Sequence, residues 1–171
     1  VWAKYAGRER TKAANWAPMP KPPRTEILIP TSQEQPATWR YTTDRPTRNW
    51  QQNNFDDSQW KTGPAGFGTA GTPGTVVRTT WDTSDIWLRR NFNFDKKLPE
   101  RIALRIHHDE DVQVFINGTQ VFRGRGYTTD YEVELVTAGS LRRGDNVLAV
   151  HCRQTTGGQY IDVGIDGVKE E

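Results

Sequence analysis

The chain has 171 residues, of which 34% are hydrophobic and 26% are charged, a composition that suits one globular domain with its own core. A net charge of +2 argues against nucleic acid as the partner, because nucleic-acid-binding domains concentrate many basic side chains on one face. No stretch approaches the roughly 20 apolar residues of a membrane span, and the single cysteine, Cys152, excludes an internal disulfide framework and is expected to pack as a small buried residue.

The first 24 residues differ in composition from the rest of the chain. They contain six basic residues and one acidic residue, Glu9. Four prolines between positions 18 and 23 each fix φ and remove a backbone donor, so regular structure is not expected there. We predict an N-terminal arm with a Pro-rich linker over residues 1–24 and one folded domain over residues 25–171.

After the linker, short apolar or alternating segments are separated by turns rich in Gly, Pro, Asn and Asp. No long helical pattern interrupts them. This succession predicts an all-β protein, an antiparallel two-sheet β-sandwich with loops at its ends. The predicted strands lie near residues 27–29, 39–43, 76–81, 86–94, 102–106, 112–116, 119–122, 131–136, 147–152 and 160–165.

Residues 102–118 show the most regular alternation. Two apolar runs, 102–106 and 112–116, flank an acidic corner, Asp109-Glu110-Asp111. The second run ends at Asn117-Gly118, a pair typical of a type I′ turn, because both central residues of that turn need positive φ. A tight hairpin between 112–116 and 119–122 is therefore predicted.

The segment between positions 50 and 60 contains Phe55-Asp56-Asp57-Ser58, which is turn chemistry. Phe55 and Trp60 are spaced to be buried on one side of a short turn, and we expect both in the core.

Several motifs, taken together, carry a family resemblance. They are Trp39-Arg40-Tyr41, residues 55–60, Gly66-Phe67-Gly68, and residues 85–90, 109–118 and 141–150. They resemble the galactose-binding-domain-like jelly roll, the fold of the sugar-binding domain of family 2 glycoside hydrolases and of many carbohydrate-binding modules. The resemblance covers about residues 25–168. Residues 107–111 and 157–164 are similar, more narrowly, to ancillary domains of bacterial polysaccharide-degrading enzymes.

This resemblance implies a polysaccharide or oligosaccharide ligand, a catalytic domain in the same parent chain, and a secreted or periplasmic location in a bacterium. A sugar site needs an aromatic face for the apolar side of a pyranose and planar polar groups for adjacent hydroxyls. Each aromatic candidate has an alternative role in filling a sheet surface or the core edge. The candidates are Trp81, Trp87, Tyr127, Tyr131 and Tyr160 for faces, and Arg78, Asp85, Arg89, Asp130, Gln154 and Gln159 for polar contacts.

The excess of basic residues favours an anionic glycan, sulfated or uronic, over a neutral one. The candidate anion contacts are Arg78, Arg89, Arg123 and Arg125.

The acidic corner has two interpretations. Jelly-roll sugar binders often carry a structural calcium, and Asp109 and Asp111 could contribute to the six to eight oxygen ligands that calcium takes. The sequence lacks an Asp-x-Asp-x-Asp-Gly loop, so a solvated turn is favoured. His107 and His108 are adjacent and point to opposite faces of a strand, which disfavours zinc. No cofactor is expected to be required.

Nothing in the sequence favours an enzyme. Asp109 and Asp111 lie on one element, whereas glycosidase carboxylates face each other across the substrate. No Gly-x-Ser-x-Gly nucleophile motif is present. We therefore expect a non-catalytic module that targets an attached glycoside hydrolase to a polysaccharide. The alternative is a structural β-sandwich domain that packs on the catalytic domain without binding sugar.

Overall fold

A computed structural model describes residues 24–33 and 35–169, so the predicted arm before Arg24 lies outside the described residues. Within these residues the chain forms twelve strands and one short 3-10 turn, Ala138–Ser140. None of the described residues belongs to a helix with the length and apolar character needed to cross a membrane. The strands are β1 (Arg24–Ile29), β2 (Thr38–Thr42), β3 (Lys61–Pro64), β4 (Phe67–Gly68), β5 (Thr79–Thr80), β6 (Asp85–Phe94), β7 (Arg101–Asp109), β8 (Asp111–Ile116), β9 (Thr119–Gly124), β10 (Glu132–Thr137), β11 (Gly144–Arg153) and β12 (Tyr160–Lys169).

Two sheets share these strands. Sheet A has the order β10-β7-β12-β4-β5, and β1 also pairs with β12, alongside its C-terminal half. Sheet B has the order β3-β2-β6-β11-β8-β9. Every pairing is antiparallel except β4 with β5. The predicted all-β, antiparallel two-sheet β-sandwich is confirmed.

The core lies between the sheets and follows the alternation of the sequence. Along β11, Leu148, Val150 and Cys152 point inward and are fully buried. Each fully buried aliphatic side chain contributes roughly 1.5–3 kcal/mol through removal of apolar surface from water. The inward residues of the main strands are Ile86, Leu88, Ile102, Leu104, Ile106, Val112, Val114, Ile116, Ile161, Val163 and Ile165.

The predicted hairpin is present as β8 and β9. Asn117 and Gly118 have φ values of 52° and 84°, the positive values that a type I′ turn requires. The Asn117 side chain also donates to the carbonyl of Ser140 at 2.7 Å and to Oδ1 of Asn146 at 2.8 Å. The turn is therefore tied to the loop that precedes β11.

Two local expectations fail. Of the predicted strand 76–81, only Thr79 and Thr80 form a strand, β5, and the other residues lie in irregular connections. Phe55 and Trp60 contact each other, with ring centroids 5.7 Å apart, but both are half-buried and lie outside the core cluster. They belong to the cover loop, which we define as residues 43–60 and which lies over the outer face of sheet B.

Candidate functional site

A groove of about 820 Å³ runs over the outer face of sheet B. Outward-facing side chains of β6, β8 and β11 form its floor, and residues 43–51 of the cover loop form its wall. Trp87, His151 and Gln113 lie on the floor because their neighbours in sequence point into the core.

The floor residues form a row perpendicular to the strands. Trp87 is opposite His151, His151 is opposite Gln113, and Gln113 is opposite Arg123 in the strand register. Neighbouring strands are about 4.8 Å apart, so the row extends about 14 Å from β6 to β9. The groove is therefore longer than one pyranose ring.

Trp87 and His151 form an aromatic pair on the floor, in which each ring turns one face toward the other. Their rings stack with centroids 4.7 Å apart and an interplanar angle of 7°. Nε2 of His151 lies 2.8 Å from Oδ1 of Asp85, and Oδ2 of Asp85 accepts a hydrogen bond from Ser84 at 3.0 Å. Both ring orientations are thus set before any ligand arrives.

Arg89 holds the wall of the groove in place. Its side chain is 1% exposed, and Nε donates to Oδ2 of Asp57 at 2.8 Å. Nη1 donates to the carbonyls of Gln52, at 3.0 Å, and Trp50. The guanidinium also lies 5.3 Å from the ring centroid of Phe55, within the range of a cation–π contact. Arg89 therefore positions the cover loop and leaves no donor for a ligand at the surface.

Arginines line the groove without acidic partners. Arg45 and Arg48 are exposed on the wall, and Arg153 is exposed on the floor. A smaller cavity of about 150 Å³ continues the groove toward β9 and is lined by Arg123 and Arg153. Within the described part of the chain, none of these four guanidinium groups lies within 4 Å of a carboxylate. Their donors are available to a ligand.

Two other predicted sugar contacts, Trp81 and Gln159, are buried and bond within the protein. Trp81 is 1% exposed, and its Nε1 donates to Oγ1 of Thr83 at 3.1 Å. Gln159 is also buried and donates to the carbonyl of Thr83 at 2.6 Å. Their side chains brace the chain before β6 and present no surface.

Tyr131 and Tyr160 belong to a buried polar cluster on the outer face of sheet A. The Tyr160 hydroxyl lies 3.2 Å from that of Tyr131, which donates to Oδ2 of Asp162. Burial raises the pKa of Asp162 and of Tyr131, and it lowers the pKa of His107, whose ring contacts both tyrosines. Ser32 closes the cluster, its amide donating to Oδ2 of Asp162 at 2.6 Å.

The remaining candidates are scattered. Arg78 is exposed and donates to the carbonyl of Ser32 at 2.8 Å, Tyr127 is 67% exposed, and Asp130 accepts from its neighbouring amide at 2.7 Å. Gln154 donates to carbonyls of the loop before β12. The structure thus brings Asp85 and Trp87 together in the groove, with Arg89 behind its wall and Arg123 in its smaller continuation. The other candidate glycan contacts, Arg125 among them, line neither cavity.

Among the groove residues that were not predicted as contacts are Arg45, Arg48, Gln113, His151 and Arg153. Alternation alone puts Gln113 and His151 on outward faces, since both lie between core residues. Their position beside Trp87 depends on strand register, which their own segments do not specify.

The acidic corner carries the chain from sheet A to sheet B. Burial, with a further contribution from Glu110, raises the pKa of Asp109. Oδ1 of Asp111 accepts from the amide of Gly126 at 2.9 Å. In residues 24–33 and 35–169, no three His, Cys, Asp or Glu side chains cluster in a way that suits a metal ion. A calcium site at Asp109 and Asp111 stays a prediction.

The two-sheet all-β fold fits a galactose-binding-like domain, and solved structures with the same fold belong to large glycoside hydrolases. A glycosyl hydrolase family 2 member from Bacteroides cellulosilyticus matches with a TM-score of 0.56 and 16% identity, over 83% of this chain and 20% of that one.

Two β-glucuronidases match comparably. One from glycoside hydrolase family 2 has a TM-score of 0.56 and 14% identity, over 82% of this chain and 17% of that chain. The Bacteroides uniformis β-glucuronidase has a TM-score of 0.59 and 18% identity, over 84% of this chain and 18% of that chain. This chain therefore spans about a fifth of the length of these enzymes. No protein-family model matches the sequence, and no curated protein does.

Proposed function

We propose that this chain is a non-catalytic carbohydrate-binding domain of a glycoside hydrolase, and that it binds a polysaccharide in the groove on sheet B. The observation that carries the proposal is the groove itself, whose floor combines the stacked Trp87–His151 pair with polar side chains. The aromatic pair offers apolar contact to a pyranose, and the Gln113 amide offers a planar polar group for sugar hydroxyls beside it.

The groove does not have the parts of a glycosidase site. Among the described residues that line its main part, Asp85 is the one carboxylate, and it is engaged by His151. Hydrolysis by either common mechanism needs two carboxylates that flank the bond. A binding domain instead raises the local concentration of substrate for a tethered enzyme, even through weak contacts. This role implies a secreted or periplasmic bacterial enzyme.

Isothermal titration against a panel of purified polysaccharides tests the proposal. The variant Gln113→Ala/His151→Ala removes two floor contacts and should weaken binding at least tenfold. Tyr127→Ala is the matched control, because Tyr127 is exposed and lies outside the groove. The proposal is wrong if no polysaccharide binds, or if Tyr127→Ala weakens binding while the groove variant does not. Thermal melts confirm that each variant folds.

A structural role is the second candidate, and one observation favours it. The outer face of sheet A exposes Ile27 by 51%, Val133 by 60% and Leu135 by 52%. The register places Leu135 beside Ala103, Ala103 beside Asp166, and Asp166 beside Ile27, so these side chains share one face. An exposed apolar face is typical of a surface that packs on another domain.

Val133→Thr/Leu135→Thr separates the two roles. The variant keeps β-branched or strand-compatible side chains and should leave the isolated chain as stable as before. If sheet A packs on a catalytic domain of the parent enzyme, the same change should lower the melting temperature of that enzyme. An unchanged parent enzyme would count against packing through this face.

A further inference from the structure

We infer that the groove binds an internal segment of an acidic polysaccharide through two separate anion subsites. Arg45 and Arg48 on the wall form one subsite, and Arg123 and Arg153 form the other. This inference rests on the proposed function and deepens it, because it names the ligand class and the residues that select it.

The separation of the two arginine pairs follows from which parts of the groove they line. Arg45 and Arg48 line only the main groove, whereas Arg123 lines only its smaller continuation toward β9. Arg153 lines both parts. One acidic group therefore does not contact both arginine pairs, whereas a polysaccharide with several acidic groups can contact each pair with a different group.

The groove carries more positive than negative charge. Its two carboxylates, Asp85 and Asp111, have partners: Asp85 is held by His151, and Asp111 accepts from a backbone amide. The arginines have no carboxylate partner in the described ranges. Exposed guanidinium groups that line one groove give it a positive potential, and this potential attracts an anionic ligand.

The shape of the groove favours a chain-internal segment. The main groove and its continuation share Gln113, His151 and Arg153, so they form one path across β6, β11, β8 and β9. A polysaccharide can lie along this path with its rings over the floor. Its acidic substituents then reach guanidinium groups, which bind carboxylates and sulfate esters through paired hydrogen bonds.

Titration with three polymers tests the inference: a homopolymeric uronate, a sulfated galactan and neutral dextran. The double variants Arg45→Gln/Arg48→Gln and Arg123→Gln/Arg153→Gln each remove one subsite. Arg24→Gln/Arg101→Gln is the matched control, because it removes the same charge from exposed arginines that line neither cavity.

We expect each groove double variant to weaken binding of an acidic polymer at least tenfold and the control to change it less than twofold. Binding should weaken as salt rises. Preference for the uronate identifies a carboxylate as the anion, and preference for the galactan identifies a sulfate ester.

Three outcomes would overturn the inference. Equal binding of dextran by all variants would remove the anion requirement while carbohydrate binding stands. A loss confined to one arginine pair would reduce the site to one anion subsite. Failure of every polymer to bind would refute the proposed function itself, and melting curves that match the parent chain exclude unfolding as the cause.

Discussion

Replacing Arg89 with methionine should detach the cover loop from sheet B. Arg89 is 1% exposed and donates to Asp57, whose carboxylate is itself 14% exposed. Breaking a buried ion pair by removing one partner costs about 3–5 kcal/mol, because the other charge stays buried. Asp57 keeps a second partner, Arg40, at 3.3 Å, so we expect the lower end of that range, about 3 kcal/mol.

For a domain of this size a loss of about 3 kcal/mol lowers the melting temperature by roughly 6–12 °C. Differential scanning calorimetry measures the shift, and urea denaturation measures the free energy. Arg90→Met is the matched control, since Arg90 is the next residue of β6 and makes one side-chain bond, to the carbonyl of Thr38 at 3.3 Å. Its loss should cost no more than about 1 kcal/mol.

The double variant Arg89→Met/Asp57→Asn adds a second check. Removing both charges leaves no unpaired carboxylate, so the double variant should cost at least about 1 kcal/mol less than the sum of the two single changes. Equal melting temperatures for Arg89→Met and Arg90→Met, or strictly additive energies in the cycle, would refute the role assigned to the Arg89–Asp57 pair.

Three further changes test other parts of the fold. Asn117→Gly keeps the positive φ of the turn but removes side-chain bonds to Ser140 and Asn146, and should cost about 2–3 kcal/mol in urea denaturation; an unchanged midpoint would contradict it. Cys152 is fully buried and burial raises the pKa of its thiol, so a thiol reagent should label it only as fast as the protein unfolds, and fast labelling under native conditions would show the burial to be wrong. Burial lowers the pKa of His107 below its ordinary 6.5, so the contribution of the neutral side chain to the free energy of unfolding is complete above about pH 6.5 and is lost as the pH falls below that value. The difference in free energy of unfolding between the parent and His107→Phe, measured by urea denaturation from pH 7.5 to 5, should therefore shrink.

Alternation and turn chemistry predicted most of the fold. The period of two along β6, β7 and β8 identified the inward residues, because a strand that is buried on one face must alternate. The pair Asn117-Gly118 predicted the hairpin from local sequence, because both central residues of a type I′ turn need positive φ. The very short strands β3, β4 and β5 have too few residues to show a pattern. Of the predicted strand 76–81, only the two residues of β5 form a strand.

The candidate site was harder to predict because it depends on contacts that are distant in sequence. Asp85 and Trp87 were predicted as sugar contacts and both line the groove, but their neighbour His151 lies 64 residues after Trp87, and strand register brings it beside them. Arg89 was interpreted as a ligand contact, and the reason it is not one lies in residues 50–57 of the cover loop. The charge of an arginine does not show whether its side chain is exposed and can contact a ligand or is buried under a loop.

The alternation of β11 has an evolutionary consequence. Leu148, Val150 and Cys152 face the core, where volume and shape decide which substitutions survive, whereas His151 and Arg153 face the groove. Descendants of a common ancestor that acquire new ligands should diverge at positions 151 and 153 and keep apolar residues of similar size at 148, 150 and 152. Selection on the core and selection on the ligand would then act on alternate positions of one strand. In homologues with different ligands, every second position of β11 should vary while the positions between them stay apolar.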